Sequence, residues 1–238
     1  MENMCQEMRL NKYLSDVGVC SRREADRWIE AGRVSVDGIV AVMGQKISRN
    51  QSVLVDGKPI KKEEEKVLLA FNKPKGIVCT TSKKDKDNIV DYLNYKTRIY
   101  PVGRLDKDSE GLILLTNQGE LVDKILRGSN YHEKEYIVTV NKKLTPEFIR
   151  AMGKGVPILD VITRPCEIEA IGTRTFRIIL TQGLNRQIRR MCEYFDYRVV
   201  DLQRVRVMNI RLGRLKTGTY RKIVGTEFKE LLELLEKR

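Results

Sequence analysis

The run KKEEEK at Lys61–Lys66 contains no apolar residue, so it has nothing to bury against a folded core. Such a stretch favours a linker between two folded units, each with its own apolar pattern. The chain has 238 residues, of which 41% are hydrophobic and 32% charged, and this is enough apolar material for two globular domains. We therefore predict a small domain over residues 1–62 and a larger domain over residues 63–238.

The segment before the charged run predicts two short helices followed by two hairpins. Leu10 and Leu14 lie at helical spacing, and Ser21, with a glutamate three residues later, is typical of a capping box that opens a second helix. The pairs Asp37–Gly38 and Asp56–Gly57 each follow a short alternating strand, and Asp-Gly favours a two-residue hairpin turn.

The larger part predicts strands rich in β-branched and aromatic residues at Val67–Pro74, Gly111–Thr116, Lys134–Val140 and Thr175–Leu180. Helical patterns lie between them, among them an apolar stripe that begins at Ile188. The sequence thus predicts an α+β fold: a small N-terminal domain of helices and hairpins, and a larger domain with a mostly antiparallel sheet flanked by helices.

The charge balance indicates the class of partner. A formal net charge of +13 attracts polyanions, so nucleic acid is the first partner to expect. Five cysteines without C-x-x-C spacing and a single histidine favour neither a disulfide framework nor a metal site. The start has no apolar leader and no run of eighteen apolar residues occurs, so we expect a cytoplasmic protein with no membrane partner and no cofactor.

Asp106 is the candidate reactive group that the residues themselves suggest. It lies in a loop just before a strand that reads as buried, and catalytic groups concentrate on loops held by rigid elements. Arg189 follows Ile188 by about 100° on a helix, whereas Arg186 and Arg190 point nearer to solvent. We therefore expect Arg189 to pair with Asp106 and keep it charged.

Each of these residues also has an ordinary structural interpretation. An aspartate before a strand is a common turn residue, and Tyr136 fits a half-buried position of a strand. Arg189 fits a surface helix charge paired with Glu193. The functional interpretation depends on the three meeting in one cleft.

Four motifs together resemble those of the ribosomal-RNA pseudouridine synthases of the RsuA/RluB/RluE/RluF type: NKPKG, PVGRLDKDSEGLILLTN, HEKEYIVTV and GLNRQIRRMCE. The stretches DNIVDYLN and HEKEY are most similar to the RluF-like subtype, which acts on a uridine of 23S ribosomal RNA. The segment Arg9–Gly38 resembles the small RNA-binding domain first seen in ribosomal small-subunit protein four. The resemblance covers nearly the whole chain.

The resemblance implies roles for individual residues. Asp106 matches the catalytic aspartate, Tyr136 the tyrosine that stacks on the base, and Arg189 the arginine that pairs with the aspartate. Arg104 matches the residue that fills the space left by the base, and Leu180 an apolar wall. The remaining substrate-binding residues that the resemblance implies are Asn185 and Arg186, with phosphate contacts from Lys12, Arg22, Arg23, Arg27 and Arg33.

The predicted function is isomerisation of a specific uridine in 23S ribosomal RNA to pseudouridine by a monomeric enzyme. The aspartate-dependent reaction cuts the glycosidic bond, turns the base and rejoins it through C5. Two alternatives stay open: a non-catalytic RNA-binding factor of ribosome assembly, and a synthase that acts on 16S ribosomal RNA or transfer RNA.

Overall fold

The computed structural model describes residues 7–48, 50–60, 65–82, 84–127 and 131–236. The chain divides into two compact units. The smaller comprises the chain up to Lys66 with Lys96–Arg98 and Asn117–Gly119, and the larger comprises the rest. The predicted boundary at residue 62 and most of the predicted linker lie outside the described residues. Within the described ranges, no helix is long and apolar enough to cross a membrane.

In its described residues, the smaller unit contains two helices and six short strands. The helices are α1 (Leu10–Asp16) and α2 (Arg22–Glu30), and the strands are β1 (Met8–Arg9), β2 (Val34–Val36), β3 (Ile39–Val40), β4 (Lys46–Ile47), β5 (Val53–Val55) and β6 (Lys58–Pro59). The strands β3, β2, β5 and β6 form an antiparallel sheet in that order, and β1 pairs with β4.

The local signals of the smaller unit are confirmed. Ser21 is the N-cap of α2, and its Oγ accepts a hydrogen bond from the Glu24 N–H at 3.1 Å. Asp37 and Asp56 have φ of 51° and 50°, and the glycine after each is also left-handed, as type I′ hairpin turns require. The turns connect β2 to β3 and β5 to β6.

The larger unit carries most of the regular structure. Its helices are α3 (Ile89–Leu93), α4 (Gly119–Leu126), α5 (Pro146–Gly153), α6 (Gln187–Tyr194) and α7 (Gly225–Glu236). Its strands are β7 (Leu68–Lys73), β8 (Tyr100–Val102), β9 (Glu110–Thr116), β10 (Lys134–Val140), β11 (Pro157–Ile158), β12 (Val161–Ile162), β13 (Glu167–Ala170), β14 (Thr175–Leu180), β15 (Val199–Val207), β16 (Ile210–Arg211) and β17 (Tyr220–Lys222).

Nine of these strands form one sheet, with the central order β13-β14-β10-β15-β9-β7-β17, while β16 pairs with β15 and β8 with β9. All four predicted strands belong to this sheet, and among the described strands only β15 and β9 pair in parallel. The α+β prediction with a mostly antiparallel sheet is therefore confirmed.

Both faces of the sheet are buried at β7 and β9. Alternate residues of β7 and β9 enter two separate apolar clusters, one that includes side chains of α5 and α6, and one that includes side chains of α4 and α7. Burial on both faces explains why the sequence of β9 reads as a nearly continuous apolar run.

Gly111 allows β15 to approach the start of β9. Its φ is 103°, and a Cβ at this position would lie 2.4 Å from the backbone oxygen of Arg204. Only glycine permits that approach without moving a backbone. The strand that carries Arg204 is thereby held against the segment that precedes β9.

Candidate active site

Asp106 lies in the seven residues 103–109 that connect β8 to β9, which we call the aspartate loop. The loop is anchored to the core, because Leu105 is buried and its N–H donates to the buried Cys79 Sγ at 3.3 Å. Arg204 of β15 donates from Nε to the Leu112 oxygen at 2.7 Å and from Nη1 to the Arg104 oxygen at 3.4 Å. Asp106 is thus fixed from both sides while its side chain stays 33% exposed.

Two arginines approach the Asp106 carboxylate. Arg189 Nε lies 3.9 Å and Arg186 Nη1 3.6 Å from the same oxygen, Oδ2. The Arg189 side chain is 9% exposed and the Arg186 side chain 41%. Arg189 Nε has no hydrogen-bond partner among the described residues, so its interaction with Asp106 is one of charge.

The structure corrects one part of the expected geometry. Arg186 is the more exposed of the two, as its predicted position requires, but it also reaches Asp106, a contact for which helical spacing favours Arg189. Helical spacing fails here because Arg186 is not part of α6. It is the N-cap residue, and its left-handed φ of 48° turns the side chain back towards the aspartate loop.

Asp108 is a second carboxylate at the same arginines, and the sequence analysis missed it. Arg186 donates to its two oxygens at 3.3 and 3.4 Å, and Arg189 Nη2 lies 3.3 Å from Oδ2. Burial acts to raise the pKa of Asp108, but the hydrogen bond from Arg186 and the charge of Arg189 outweigh it, so the pKa lies below its usual value. Arg189 Nη2 also donates to the Asp108 backbone oxygen and to Ser109 Oγ.

A cavity of about 450 Å³ opens beside the aspartate loop, and we call it the site cavity. The predicted residues of the larger unit all line it: Arg104, Asp106, Tyr136, Leu180, Asn185, Arg186 and Arg189. Its size lies in the usual range for small-ligand sites, about 300 to 1,000 Å³. A wider cleft of about 1130 Å³ shares Arg104, Asp106, Asn185 and Arg186 with the site cavity and is lined further by Lys75 and Lys107.

Strand register explains why Tyr136 and Leu180 share the cavity. Lys134 lies opposite Leu180 in the β10–β14 pair, and Tyr136 lies two residues further along the same strand. Side chains alternate between the faces of a sheet, so all three point to one face. Tyr136 is 9% exposed, and it lines the cavity.

The single histidine has a structural position. His132 is buried, and its Nδ1 lies 2.9 Å from the Ile125 backbone oxygen. Among the described residues, no group of three His, Cys, Asp or Glu is arranged to hold a metal ion. The site cavity therefore offers carboxylate, aromatic and cationic groups for chemistry.

The predicted RNA contacts of the smaller unit differ in their local partners. Arg22 and Arg23 are exposed on α2, and no described carboxylate lies within ion-pair distance of either. Arg27 forms an ion pair with Glu24, and Lys12 lies 4.0 Å from the aspartate four residues later. Arg33 binds both oxygens of the Asp56 carboxylate at 2.9 and 2.6 Å.

The fold and the site together define an RNA-modifying enzyme, and comparisons with known proteins give its family. The family model for RNA pseudouridylate synthase matches residues 67–194, and the model for the S4 domain matches residues 8–42. The chain belongs to the RNA pseudouridylate synthase family, of the RsuA type, and it is a pseudouridine synthase with an S4-type RNA-binding domain.

Individual relatives agree with this assignment. The dual-specificity RNA pseudouridine synthase RluF of Salmonella typhi is 54% identical over 230 residues, which cover 96% of this chain and 80% of the relative. The ribosomal large subunit pseudouridine synthase B of Bacillus subtilis is 32% identical over 237 residues, or 96% of this chain and 97% of the relative. A crystal structure of a pseudouridylate synthase superimposes with a TM-score of 0.68 at 25% identity, over 95% of this chain and 99% of that one.

These comparisons confirm the family resemblance and the enzymatic interpretation. They favour it over the non-catalytic RNA-binding factor that the sequence left open. They also agree with modification of ribosomal RNA, since the Bacillus subtilis relative is named for the large ribosomal subunit.

Proposed function

We propose that this enzyme isomerises a specific uridine of 23S ribosomal RNA to pseudouridine, with Asp106 as the catalytic carboxylate. One observation carries the proposal. The Asp106 carboxylate lies at the site cavity within 4 Å of two guanidinium groups, and the same cavity is lined by Tyr136 and Leu180. The large-subunit name of a relative at 32% identity supports 23S ribosomal RNA as the substrate.

The reaction exchanges one bond for another within the nucleotide and needs no second reactant. The bond from uracil N1 to C1′ breaks, the base turns, C5 bonds to C1′, C5 loses its proton and N1 gains one. One carboxylate serves each of three routes: attack on C1′, removal of the C2′ proton to give a glycal, or addition to uracil C6. All three use the Asp106 carboxylate, which lies within 4 Å of the guanidinium groups of Arg186 and Arg189.

The other cavity residues hold the nucleotide. Tyr136 stacks on uracil and keeps the detached base from escaping, while Leu180 forms the apolar wall opposite β10. The uridine must leave the RNA stack at a cost of a few kcal/mol, and contacts between basic residues and phosphates offset that cost. Arg104 is exposed at the rim of the cavity, in a position to fill the space that the base leaves.

The test uses ribosomal RNA tritiated at uridine C5, because formation of the new bond releases this tritium. We expect Asp106→Asn to abolish release while the affinity for RNA stays near that of wild type, since the exchange keeps the size of the side chain. Asp160→Asn is the matched control, because Asp160 is an exposed carboxylate outside the site cavity. Release by Asp106→Asn at the wild-type rate would show that another group performs the reaction.

A second RNA substrate is the next candidate. The words "dual-specificity" in the name of the relatives at 52–54% identity favour it for this chain as well. Tritium release from purified 23S ribosomal RNA, 16S ribosomal RNA and transfer RNA separates the possibilities. Release from 23S RNA and one further class supports two substrates, and release from 16S or transfer RNA without 23S RNA contradicts the 23S proposal.

A further inference from the structure

Lys134 is a cationic residue inside the site cavity to which neither the sequence analysis nor the proposed reaction gives a role. It begins β10, faces the same side as Tyr136, and lines the cavity together with Asp106 and Leu180. Its Nζ donates to the His132 backbone oxygen at 3.2 Å. Within the described residues, no carboxylate lies at ion-pair distance from this amine.

The carboxylates adjacent to Lys134 in sequence are occupied elsewhere. Glu135 accepts from Arg206 Nε at 2.7 Å, and Glu133 accepts from Arg206 Nη2 at 3.0 Å. Glu135 alternates to the opposite face of the strand from Lys134. The ammonium group of Lys134 is therefore not neutralised by its neighbours in β10.

The surrounding charges are mostly of the same sign. Burial, together with the positive charges of Arg204 on β15 and Arg164 before β13, lowers the pKa of Lys134 to about 8. Besides Lys134, the charged residues that line the cavity are Asp106 and four arginines: Arg104, Arg186, Arg189 and Arg204. A half-buried cation among four arginines is stabilised when an electron-rich ligand occupies the cavity.

A flipped nucleotide offers two such ligands, its phosphate and its base. The phosphate stays with the RNA strand at the rim, where the exposed Arg104 and Arg186 lie. The base enters against Tyr136. Lys134 is two residues from Tyr136 on the same face, a spacing of about 7 Å between Cα atoms, and its four-carbon side chain spans a comparable distance. The edge of a base stacked on Tyr136 is thus within its reach.

We infer that the Lys134 ammonium group donates a hydrogen bond to a carbonyl oxygen of the flipped uracil and stabilises the negative charge that the base gains when its glycosidic bond breaks. This inference rests on the proposed uridine isomerisation. The bonding pair of N1–C1′ goes to N1 as that bond breaks, and the charge spreads over N1, O2 and O4. A fixed cation next to O2 or O4 stabilises this negative charge most where water is excluded from the site. Lys134 keeps its proton throughout, so it acts by charge and not as an acid or base.

The central test compares Lys134→Met, which removes the charge with little change in length, with wild type in single turnover. The RNA is whichever class wild type isomerises, so the result does not depend on the 23S assignment. We expect a fall in rate of about 100-fold, as for the loss of one donor to a developing anion, with RNA affinity within about twofold of wild type. Lys154→Met, at an exposed lysine outside the site cavity, is the matched control and should retain the wild-type rate.

The pH profile gives a second readout. Wild type should lose activity above about pH 8 as Lys134 loses its proton, and Lys134→Met should lack this decline. Lys134→Arg, which keeps a charge at all these pH values, should recover part of the rate and also lack the decline. A decline of equal size in wild type and Lys134→Met contradicts the inference.

Substitution of single atoms in the base identifies the hydrogen bond. RNAs that carry 4-thiouridine or 2-thiouridine at the target replace one carbonyl oxygen by sulfur, a weaker acceptor, and chromatography of the nucleosides follows isomerisation. The thio substitution at the contacted position should slow wild type but not slow Lys134→Met further. Equal slowing of both enzymes at both positions overturns the inference. So does a Lys134→Met variant with an unchanged rate but weaker, less salt-dependent RNA binding, because that pattern marks a phosphate contact.

Discussion

The arginines of the smaller unit and those of the site cavity carry the same charge in different surroundings. Arg27 and Arg33 have side chains that are 70% and 43% exposed, and each pairs with a nearby carboxylate in contact with water. Arg189 is 9% exposed and contacts two carboxylates. Exposed pairs contribute about 0–1 kcal/mol, whereas removal of one partner of a buried pair costs about 3–5 kcal/mol. We expect the first set to exchange its partners for RNA phosphates, and we expect the buried Arg189 to maintain the geometry around Asp106.

The largest effect is therefore expected at Arg189. Arg189→Ala removes a charge beside Asp106 and the hydrogen bonds to the Asp108 backbone and Ser109 Oγ, so turnover should fall by at least about 100- to 1,000-fold. Single-turnover tritium release measures the fall, and the thermal midpoint and circular dichroism check the fold. A fully active, folded Arg189→Ala enzyme contradicts the pairing of Arg189 with Asp106.

Arg186→Ala tests whether burial or distance determines the effect of an arginine on Asp106, because the nearer of the two arginines is the more exposed. Arg186 is 0.3 Å nearer to Asp106 Oδ2 than Arg189 is, at 3.6 against 3.9 Å, but its side chain is far more exposed. Solvent screens an exposed charge, so we expect a smaller fall than for Arg189→Ala. If Arg186→Ala is the more damaging change, proximity outweighs burial at this site and the contrast between the two regions is weaker than we propose.

Asp108→Asn should have an intermediate effect. The change weakens the hydrogen bonds from Arg186 and the ion pair with Arg189, and loss of about 1.5 kcal/mol of charge-assisted bonding corresponds to about tenfold in turnover. The rate is measured in the same tritium assay. An unchanged rate would show that Asp106 alone is sufficient to position the two arginines.

Asp108 also predicts a pH dependence of stability. In the folded protein its pKa lies below the usual aspartate value of about 3.9, so ionised Asp108 stabilises the fold above that pH, and this contribution is lost as the pH falls through the lower, folded pKa. Asp108→Asn should therefore be slightly less stable than wild type at neutral pH, and the difference should shrink in acid. Urea titrations at pH 7 and pH 3 measure it. A stability difference between the two proteins that is larger at pH 3 than at pH 7 would contradict this prediction.

The sequence predicted local and repetitive features of the fold but not those that depend on tertiary contacts. The hairpins at Asp37 and Asp56 and the cap at Ser21 follow from neighbouring residues, and the structure confirms them. Strand β15 was missed because its sequence, VVDLQRVRV, places Arg204 at a buried position. Arg204 is tolerated there only because backbone oxygens of Leu112 and Arg104, distant in sequence, accept its hydrogen bonds.

In the candidate site, too, the sequence predicted the local features but not those that depend on tertiary contacts. The motif around Asp106 identified the loop, and the apolar stripe of α6 placed Arg189 near its interior face. Helical spacing could not place Arg186, because its left-handed backbone lies outside the helix. Lys134 was missed because its place at the cavity depends on β14 and β15, which pair with it from remote parts of the chain. Contacts between segments far apart in sequence decide these details.

In the smaller unit, Arg23→Ala should weaken RNA binding moderately without changing the rate of the reaction. Arg23 is exposed, and no described carboxylate pairs with it, so its charge is available to RNA. Loss of one phosphate contact reduces the slope of log affinity against log salt by about 0.7 for single-stranded RNA. Filter binding at several salt concentrations measures the slope, and single-turnover rates at saturating RNA should be unchanged. An unchanged slope removes Arg23 from the RNA contact surface.

The smallest effect is expected at Arg33. Its guanidinium already binds both Asp56 oxygens, at 2.9 and 2.6 Å, and lies 4.9 Å from the centre of the Trp28 ring. Because RNA must compete with Asp56 for this charge, Arg33→Ala should reduce the salt slope by less than Arg23→Ala does. Asp56→Asn provides the reciprocal variant: it releases the Arg33 charge, so it should strengthen RNA binding at low salt, and the double variant should lose that gain. If Arg33→Ala and Arg23→Ala reduce the slope equally, the local carboxylate does not compete with phosphate, and the distinction between paired and unpaired arginines fails as a guide to the RNA-binding surface.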